Sequence, residues 1–183
     1  MLTDMLKYAI YEYVPQRRLE RSTFEQREIH RRVLDFKDGR YYAKLWAARS
    51  MALALSLVNL RDVAIVCIPA SSRYSHIRRY KEFTRLLCNM TGAINGFDWI
   101  EVFSTREKRH LSEDRSKVDI MQNTRISSIV KGQKILVIDD VCTTCATAVY
   151  FIDCLRRAGA HVCMAMFLAK PKTRKYLPLK GDR

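Results

Sequence analysis

The stretch from Lys134 to Thr147, KILVIDDVCTTCAT, decides the fold of this chain. It opens with four consecutive apolar residues, Ile135 to Ile138, a pattern typical of a strand buried on both faces inside a parallel sheet. Two carboxylates, Asp139 and Asp140, follow directly, and a turn of small, mostly hydroxyl-bearing residues comes next. The order is therefore a buried strand, an acidic pair and a small polar loop.

The segment after this loop, AVYFIDCLRRAG, has the spacing of an amphipathic helix, with Val149, Ile152 and Leu155 on one face and Gly159 as a stop signal. Ligands of open α/β sheets bind beyond the carboxyl ends of the strands. A helix N-terminus there offers unpaired N–H groups and partial positive charge, which suit a phosphate. Carboxylates would repel that phosphate, so we expect them to face sugar hydroxyls or a metal ion.

The segment IDDVCTTCAT resembles the phosphoribosyl-diphosphate (PRPP) signature of type I phosphoribosyltransferases. This resemblance implies that Asp139 and Asp140 hold the ribose 2- and 3-hydroxyls. It also implies that the loop cradles the 5-phosphate through Thr143, Thr144, Cys145, Ala146 and Thr147. Cys145 and Ala146 stand where the family usually has glycine at one or both positions. A positive φ at either residue would cost about 1 kcal/mol or more.

A simpler interpretation is that Asp139 and Asp140 only end a strand and cap a helix, because Asp and Thr are ordinary capping residues. A buried strand followed by two carboxylates and a Thr-rich turn is a less common pattern than a simple helix cap. We therefore favour the phosphoribosyl interpretation of this motif.

Composition bounds the remaining alternatives. The 183 residues suffice for one α/β domain, and the net charge of +14 arises from 33 basic and 19 acidic residues. This charge suits a polyanionic substrate such as PRPP, and it leaves nucleic acid open as a partner through the basic surface.

No apolar run is long enough to span a bilayer, and the start lacks a secretory pattern, so we expect no membrane association and a cytoplasmic protein.

Cys142 and Cys145 form a CxxC pair among the six cysteines. Such a pair fits redox chemistry or half of a zinc site, but no second CxxC exists to complete the zinc site. We favour the interpretation that the cysteines are small core residues of a reduced, intracellular protein, with no protein-held metal.

The first part of the chain, residues 1–60, is expected to be a helical segment that packs on a core formed by residues 61–183. The segment LKYAIYEYVPQRR has apolar spacing that we interpret as helical, and Ser22 with Glu25 predicts a capping box. A second long helix is expected from Tyr41 to Leu60, because Ala, Leu and Met dominate there.

A second buried strand is predicted from Val63 to Ile68, followed by a small polar loop and a helix. In type I phosphoribosyltransferases a loop at this place binds pyrophosphate, which implies that role for Ser71, Ser72 and Arg73. The segment IPASSRYSHIRRY also resembles the ComF-like, competence-associated branch of the family. That branch usually has Arg-Gly-Phe-Asn-Gln where this chain has residues 78–82, so the match is partial.

Phe97 to Phe103 is predicted to be a third strand, and residues 120–129 a short helix or irregular segment. Between them lies the highly charged stretch STREKRHLSEDRSKVD, at the place where the family has a flexible loop that closes over the site. This resemblance implies positive charge for the departing pyrophosphate from Arg106, Lys108, Arg109 and Arg115. The alternative is a solvated loop without a catalytic role.

Strands that alternate with helices predict an α/β fold with a parallel sheet, the Rossmann-like core of type I phosphoribosyltransferases, with N-terminal helices. The resemblance implies an enzyme that transfers phosphoribosyl from PRPP to a nitrogenous acceptor, with Mg²⁺ bound through the substrate and pyrophosphate released. The sequence identifies neither the acceptor nor the oligomeric state. Two alternatives stay open: a non-catalytic PRPP or nucleotide sensor, and a nucleic-acid-associated protein of DNA uptake or defence.

Overall fold

The computed structural model describes residues 6–103 and 121–171 of the chain. Its central sheet has five strands in the order β1-β7-β6-β2-β3, and every neighbouring pair is parallel. The expected α/β fold with a parallel sheet is confirmed. The strands of this sheet are β1 Leu6–Tyr13, β2 Val63–Cys67, β3 Ile94–Asn95, β6 Lys134–Val141 and β7 His161–Pro171. A separate antiparallel pair consists of β4 Ile100–Val102 and β5 Thr124–Ile126.

The described part of the chain also contains five α-helices. They are α1 Phe24–Lys37, α2 Tyr41–Ala54, α3 Arg73–His76, α4 Glu82–Thr91 and α5 Ala146–Arg157. A π-helical turn, Ile77–Lys81, joins α3 to α4. In the two described stretches, no helix combines the length and the apolar character needed to cross a bilayer.

The apolar run of β6 is buried on both faces, as its sequence predicts. Leu136 and Ile138 belong to the core cluster that also contains residues of α1, α2 and α4. Ile135 and Val137 belong to the opposite cluster, which contains the buried face of α5. Alternate side chains of a strand point to opposite faces, so helices on both sides of the sheet require an unbroken apolar run. This arrangement holds the carboxyl end of β6, with its acidic pair, in a fixed position.

The helical prediction for the segment LKYAIYEY is wrong, because residues 6–13 form β1. This strand pairs in parallel with β7 along the edge of the sheet. Tyr11 stacks on Trp46 of α2 with ring centroids 5.0 Å apart, and its hydroxyl lies 2.8 Å from Ser50 Oγ. Tyrosine and isoleucine favour strands, and pairing with a distant strand outweighs the weak helical spacing.

The predicted third strand is also corrected. Phe97–Trp99 is a 3-10 helix, and only Ile100–Val102 is extended, outside the central sheet. The sheet instead ends in the two residues of β3, Ile94–Asn95. Gly96 crosses close to β2, because a Cβ there would lie 2.9 Å from Ile65 O. The segment predicted to be helical or irregular before β6 contains β5 and a 3-10 helix, Ser128–Val130.

Two helix boundaries differ from the sequence predictions. The capping box of α1 consists of Thr23 and Gln26, one residue later than Ser22 and Glu25. Helix α2 ends at Ala54 rather than Leu60. The helix after the second buried strand is present, although the π-helical turn interrupts it. The first shift is a single residue, an ordinary difference at a helix end, whereas residues 55–60 after α2 form turns and irregular structure.

Candidate functional site

A cavity of about 220 Å³ lies at the carboxyl ends of β2 and β6. Because these strands are parallel neighbours, the loops that follow them meet at one edge of the sheet. The lining comes from the loop after β2, the acidic pair, the loop after β6 and the π-helical turn. The structure therefore brings the predicted ribose and phosphate residues together around one cavity.

Asp139 lies partly buried at the base of this cavity. Its Oδ1 accepts hydrogen bonds from the Tyr80 hydroxyl at 2.7 Å and from the Asp140 N–H at 2.8 Å. Burial, followed by the charge of Asp140, raises the pKa of Asp139 from 3.8 to about 7. Burial also raises the pKa of Tyr80 well above its ordinary value, so the hydroxyl keeps its proton and remains a donor.

Asp140 is 5% exposed and has cationic partners. Arg79 Nη1 donates to Asp140 Oδ2 at 2.5 Å, and Lys37 Nζ lies 3.8 Å from Asp140 Oδ1. A buried carboxylate requires such pairing, because an isolated buried charge is strongly unfavourable. The two adjacent carboxylates thus have distinct environments, one hydrogen-bonded to a phenol and one paired with a guanidinium.

Sequence reasoning assigned neither Arg79 nor Tyr80 to the acidic pair, and both contact it in the structure. Both belong to the π-helical turn, and π-helical segments often occur at functional sites. The neighbouring Arg78 contacts Lys37 O and Asp38 instead, so the turn decides which arginine reaches the acidic pair.

The three predicted pyrophosphate residues lie in three different environments in the structure. Ser71 is exposed and lines the cavity. Ser72 is the N-cap of α3, where its Oγ accepts a hydrogen bond from Ser75 N–H at 3.1 Å. Arg73 is exposed and lines a different cavity, together with His76 and Phe97.

His76 lies beneath this loop and is 3% exposed. Its Nδ1 accepts a hydrogen bond from Ala70 N–H at 3.4 Å, and its ring stacks on Phe97 at 5.1 Å. Burial lowers the pKa of His76 from 6.5 to about 4, so the ring is neutral at neutral pH. A neutral ring can accept the backbone hydrogen bond that holds the loop.

The loop after β6 lines the cavity with every predicted phosphate residue from Thr143 to Thr147. Cys145 adopts a left-handed conformation with φ of 57°, and Ala146 is the first residue of α5. Cys142 and Cys145 are joined by a disulfide, which corrects their interpretation as reduced core cysteines. The N-terminus of α5 faces this loop, and such a terminus favours anions.

The predicted flexible-loop residues, Arg106, Lys108, Arg109 and Arg115, lie outside the described residues. Among the residues that are described, no three His, Cys, Asp or Glu side chains are grouped to hold a metal ion. Mg²⁺ commonly keeps several waters and binds through substrate phosphates with one or two carboxylates. Asp139 and Asp140, beside the predicted phosphate loop Thr143–Thr147, fit that mode of binding.

A family model described as the phosphoribosyl transferase domain matches residues 46–180. No curated protein sequence matches the chain.

Three solved structures illustrate the structural similarities. An HPRT whose invariant aspartic acid is mutated to glutamic acid has 18% identity, with 76% of this chain and 79% of that chain covered, and a TM-score of 0.38. A mutant of hypoxanthine phosphoribosyltransferase from Trypanosoma cruzi, in a ternary substrates complex, has 17% identity, coverage of 76% and 79%, and a TM-score of 0.40. A hypothetical protein from Neisseria gonorrhoeae with bound ppGpp has 12% identity, coverage of 95% and 80%, and a TM-score of 0.36.

Proposed function

The chain belongs to the phosphoribosyl transferase domain family, and from this premise we propose that it binds PRPP and transfers the phosphoribosyl group to a nitrogen nucleophile. The observation that carries the proposal is the shared cavity of the acidic pair and the phosphate loop. Carboxylates and an anion-binding loop at one edge of a parallel sheet suit a ligand with both hydroxyls and a phosphate. A ribose 5-phosphate has that combination.

In this proposal, Asp139 and Asp140 accept hydrogen bonds from the ribose 2- and 3-hydroxyls. The backbone of Thr143–Thr147 and the N-terminus of α5 hold the 5-phosphate. Arg79 and Lys37 offset the charge of Asp140. This pairing reduces the repulsion that an anionic substrate meets at a cavity with two carboxylates.

The proposed reaction is substitution at the ribose C1. The lone pair of the acceptor nitrogen forms the new C1–N bond, the C1–O bond breaks, and its electron pair leaves with pyrophosphate. The transition state resembles an oxocarbenium ion, so orientation and electrostatics supply most of the catalysis. Mg²⁺ bound with the substrate would offset the charge on the diphosphate. Of the predicted pyrophosphate residues, Ser71 lies on the cavity and is the first to test.

The proposal is tested by calorimetric titration with PRPP and Mg²⁺. Asp139→Asn combined with Asp140→Asn should weaken PRPP binding at least about 100-fold, because hydrogen bonds to charged groups contribute about 1.5–3 kcal/mol each. The matched control combines Asp98→Asn, at an exposed carboxylate, with Asp153→Asn, at a partly exposed one; both lie outside the cavity. The control should bind like the wild type, and circular dichroism should show both variants folded. Equal affinities of the two double variants would refute the ribose assignment.

A second candidate function is a non-catalytic PRPP sensor. The specific observation in its favour is the left-handed Cys145 in a loop where the family usually has glycine. Enzyme and sensor both bind PRPP, but only the enzyme releases pyrophosphate when supplied with acceptors. A pyrophosphate-release assay against a panel of purine, pyrimidine and amine acceptors separates the two. Nucleic-acid binding rests on net charge alone, and the ComF-like branch stays a prediction from partial motif similarity.

A further inference from the structure

Two cysteines belong to the phosphate-loop region: Cys142 directly precedes the loop Thr143–Thr147, and Cys145 lies within it. Cys142 follows β6 directly, and its N–H donates to Ala169 O of β7 at 3.0 Å, so the sheet fixes its backbone. Cys145 precedes α5, and its carbonyl accepts a hydrogen bond from Val149 N–H at 2.9 Å. Their Cα atoms lie 5.0 Å apart, and a disulfide joins them. The covalent link thus connects the end of the strand to the start of the helix.

The backbone of Cys145 has a conformation that cysteine rarely adopts. Within residues 6–103 and 121–171, Cys145 is the only residue other than glycine with a positive φ. The left-handed region costs a residue with a Cβ about 1–2 kcal/mol, whereas glycine enters it freely. The disulfide restrains the loop in this conformation. It therefore stabilises a left-handed backbone at Cys145 that a glycine would adopt without a cross-link.

The disulfide lies beside the proposed ligand site and is accessible from the cavity. Both cysteines line the cavity; Cys142 is 8% exposed, and Cys145 is half-buried. By contrast, Cys67 and Cys88 are buried free thiols whose pKa values are raised by burial, which makes them poor nucleophiles. A zinc role for the pair would need further ligands, and the described residues contain no group of three metal-binding side chains.

We propose that Cys142 and Cys145 form a redox-active disulfide site that controls PRPP affinity through the shape of the phosphate loop. The proposal rests on the proposed function, because PRPP is the ligand whose phosphate the loop would hold. In the oxidised form the loop is preorganised for the phosphate. In the reduced form Cys145 relaxes out of the left-handed region, and the loop must be reordered on binding.

The reducing partner is a dithiol. One thiolate of the dithiol attacks Cys145 Sγ, the disulfide bond breaks, and its electron pair leaves on Cys142 Sγ, which takes up a proton. The second thiol then closes the disulfide of the reductant and releases Cys145 as a thiol. The dithiol loses two electrons and two protons, and the protein gains both. Reoxidation by a small-molecule disulfide reverses each step.

The test compares PRPP affinity, measured by calorimetry, for the oxidised and the dithiothreitol-reduced protein. Thiol alkylation and intact mass establish that exactly one disulfide has been reduced. Reduction should weaken PRPP binding by about 5–30-fold, the equivalent of 1–2 kcal/mol. Combined Cys154→Ser and Cys163→Ser, which removes the free cysteines that are not fully buried, should keep this redox response.

Two variants separate the disulfide from the loop conformation. Cys142→Ser cannot form the disulfide and should bind as weakly as the reduced wild type, with or without reductant. Cys145→Gly also lacks the disulfide, but it tolerates a positive φ, so it should bind as tightly as the oxidised wild type in both conditions.

The outcomes distinguish this inference from the proposed function. Equal PRPP affinity of the oxidised and fully reduced wild type would overturn the redox control while leaving PRPP binding intact. Weak binding by Cys145→Gly would overturn the argument from backbone conformation. Failure of the oxidised wild type and of Cys145→Gly to bind PRPP would refute the proposed function, and the redox control with it.

Discussion

Asp139 and Asp140 are adjacent in sequence but differ in their partners. Asp139 accepts from the Tyr80 hydroxyl, whereas Asp140 pairs with Arg79 and Lys37. Burial raises the pKa of Asp139, and the Tyr80 hydrogen bond opposes that rise. Tyr80 is thus a positioning residue that also keeps Asp139 closer to its ionised form.

Tyr80→Phe removes that hydrogen bond and should raise the pKa of Asp139 above its present value of about 7. The affinity for PRPP should then fall severalfold near pH 7 and recover as the pH rises, because ionised Asp139 is the acceptor for a ribose hydroxyl. Calorimetric titrations across pH measure this shift. Tyr74→Phe is the matched control, since Tyr74 is exposed. An unchanged pH profile in Tyr80→Phe would contradict the positioning role.

Arg79→Leu leaves the buried carboxylate of Asp140 with only the more distant Lys37. We expect the free energy of unfolding to fall by about 3 kcal/mol, at the lower end of the loss when one partner of a buried ion pair is removed. Arg85→Leu disrupts an exposed pair with Glu82 and should cost less than about 1 kcal/mol. Urea unfolding of both variants checks the difference, and similar losses would exclude a special role for Arg79.

The sequence motif predicted the acidic pair and the phosphate loop, but not the residues that hold the pair. Arg79 and Tyr80 reach it because the helix widens into a π-helical turn, whereas helical periodicity assumes 3.6 residues per turn. The disulfide was missed for a different reason. Cysteine spacing alone does not distinguish core packing from a covalent link, and the link depends on the loop geometry.

At the scale of elements, β6 contributes to both cores of the molecule. Ile135→Ala and Leu136→Ala remove side chains from opposite clusters, and each should lower the free energy of unfolding by about 2–5 kcal/mol. If one face of β6 were exposed to solvent, the alanine substitution would lower the free energy of unfolding at only one of these two positions. Ile129→Ala, at an exposed site, should cost little. Urea unfolding tests the series, and a neutral effect at either β6 position would contradict burial on both faces.

The strands inside the sheet were predictable, and those at its edges were not. Strands β2 and β6 show continuous apolar runs, because helices cover them on both faces. Edge strands carry weaker patterns. The sequence of β1 mixes tyrosines with charged residues, and β3 has only two residues, directly before Gly96. Both edges are determined by pairing with β7 and β2, which local patterns do not encode.

For the whole molecule, two buried groups give opposite pH dependences of stability. The native state holds a proton on Asp139 up to about pH 7, whereas the unfolded chain releases it near 3.8, so this contribution to stability falls as pH rises through that window. The pKa of His76 is lowered from 6.5 to about 4, so its contribution is lost as pH falls through that window. The two effects oppose each other over much of the acidic range.

Asp139→Asn isolates one of these contributions. Relative to the wild type, the variant should gain stability as pH rises from about 4 to about 7, by up to about 1.4 kcal/mol per pH unit. Urea unfolding of both proteins, without PRPP, at several pH values from about 4.5 to about 7.5 measures the difference. Parallel stability curves for the two proteins would contradict the raised pKa of Asp139.

The pairing of β1 with β7 also has a consequence for how the molecule is made. Residues 14–160 are synthesised between β1 and its partner β7. The tyrosine-rich β1 therefore stays unpaired while these residues are made, and an unpaired strand is a typical target for chaperones. β1 can pair only after β7 leaves the exit tunnel, so this step of folding joins two distant parts of the newly made chain.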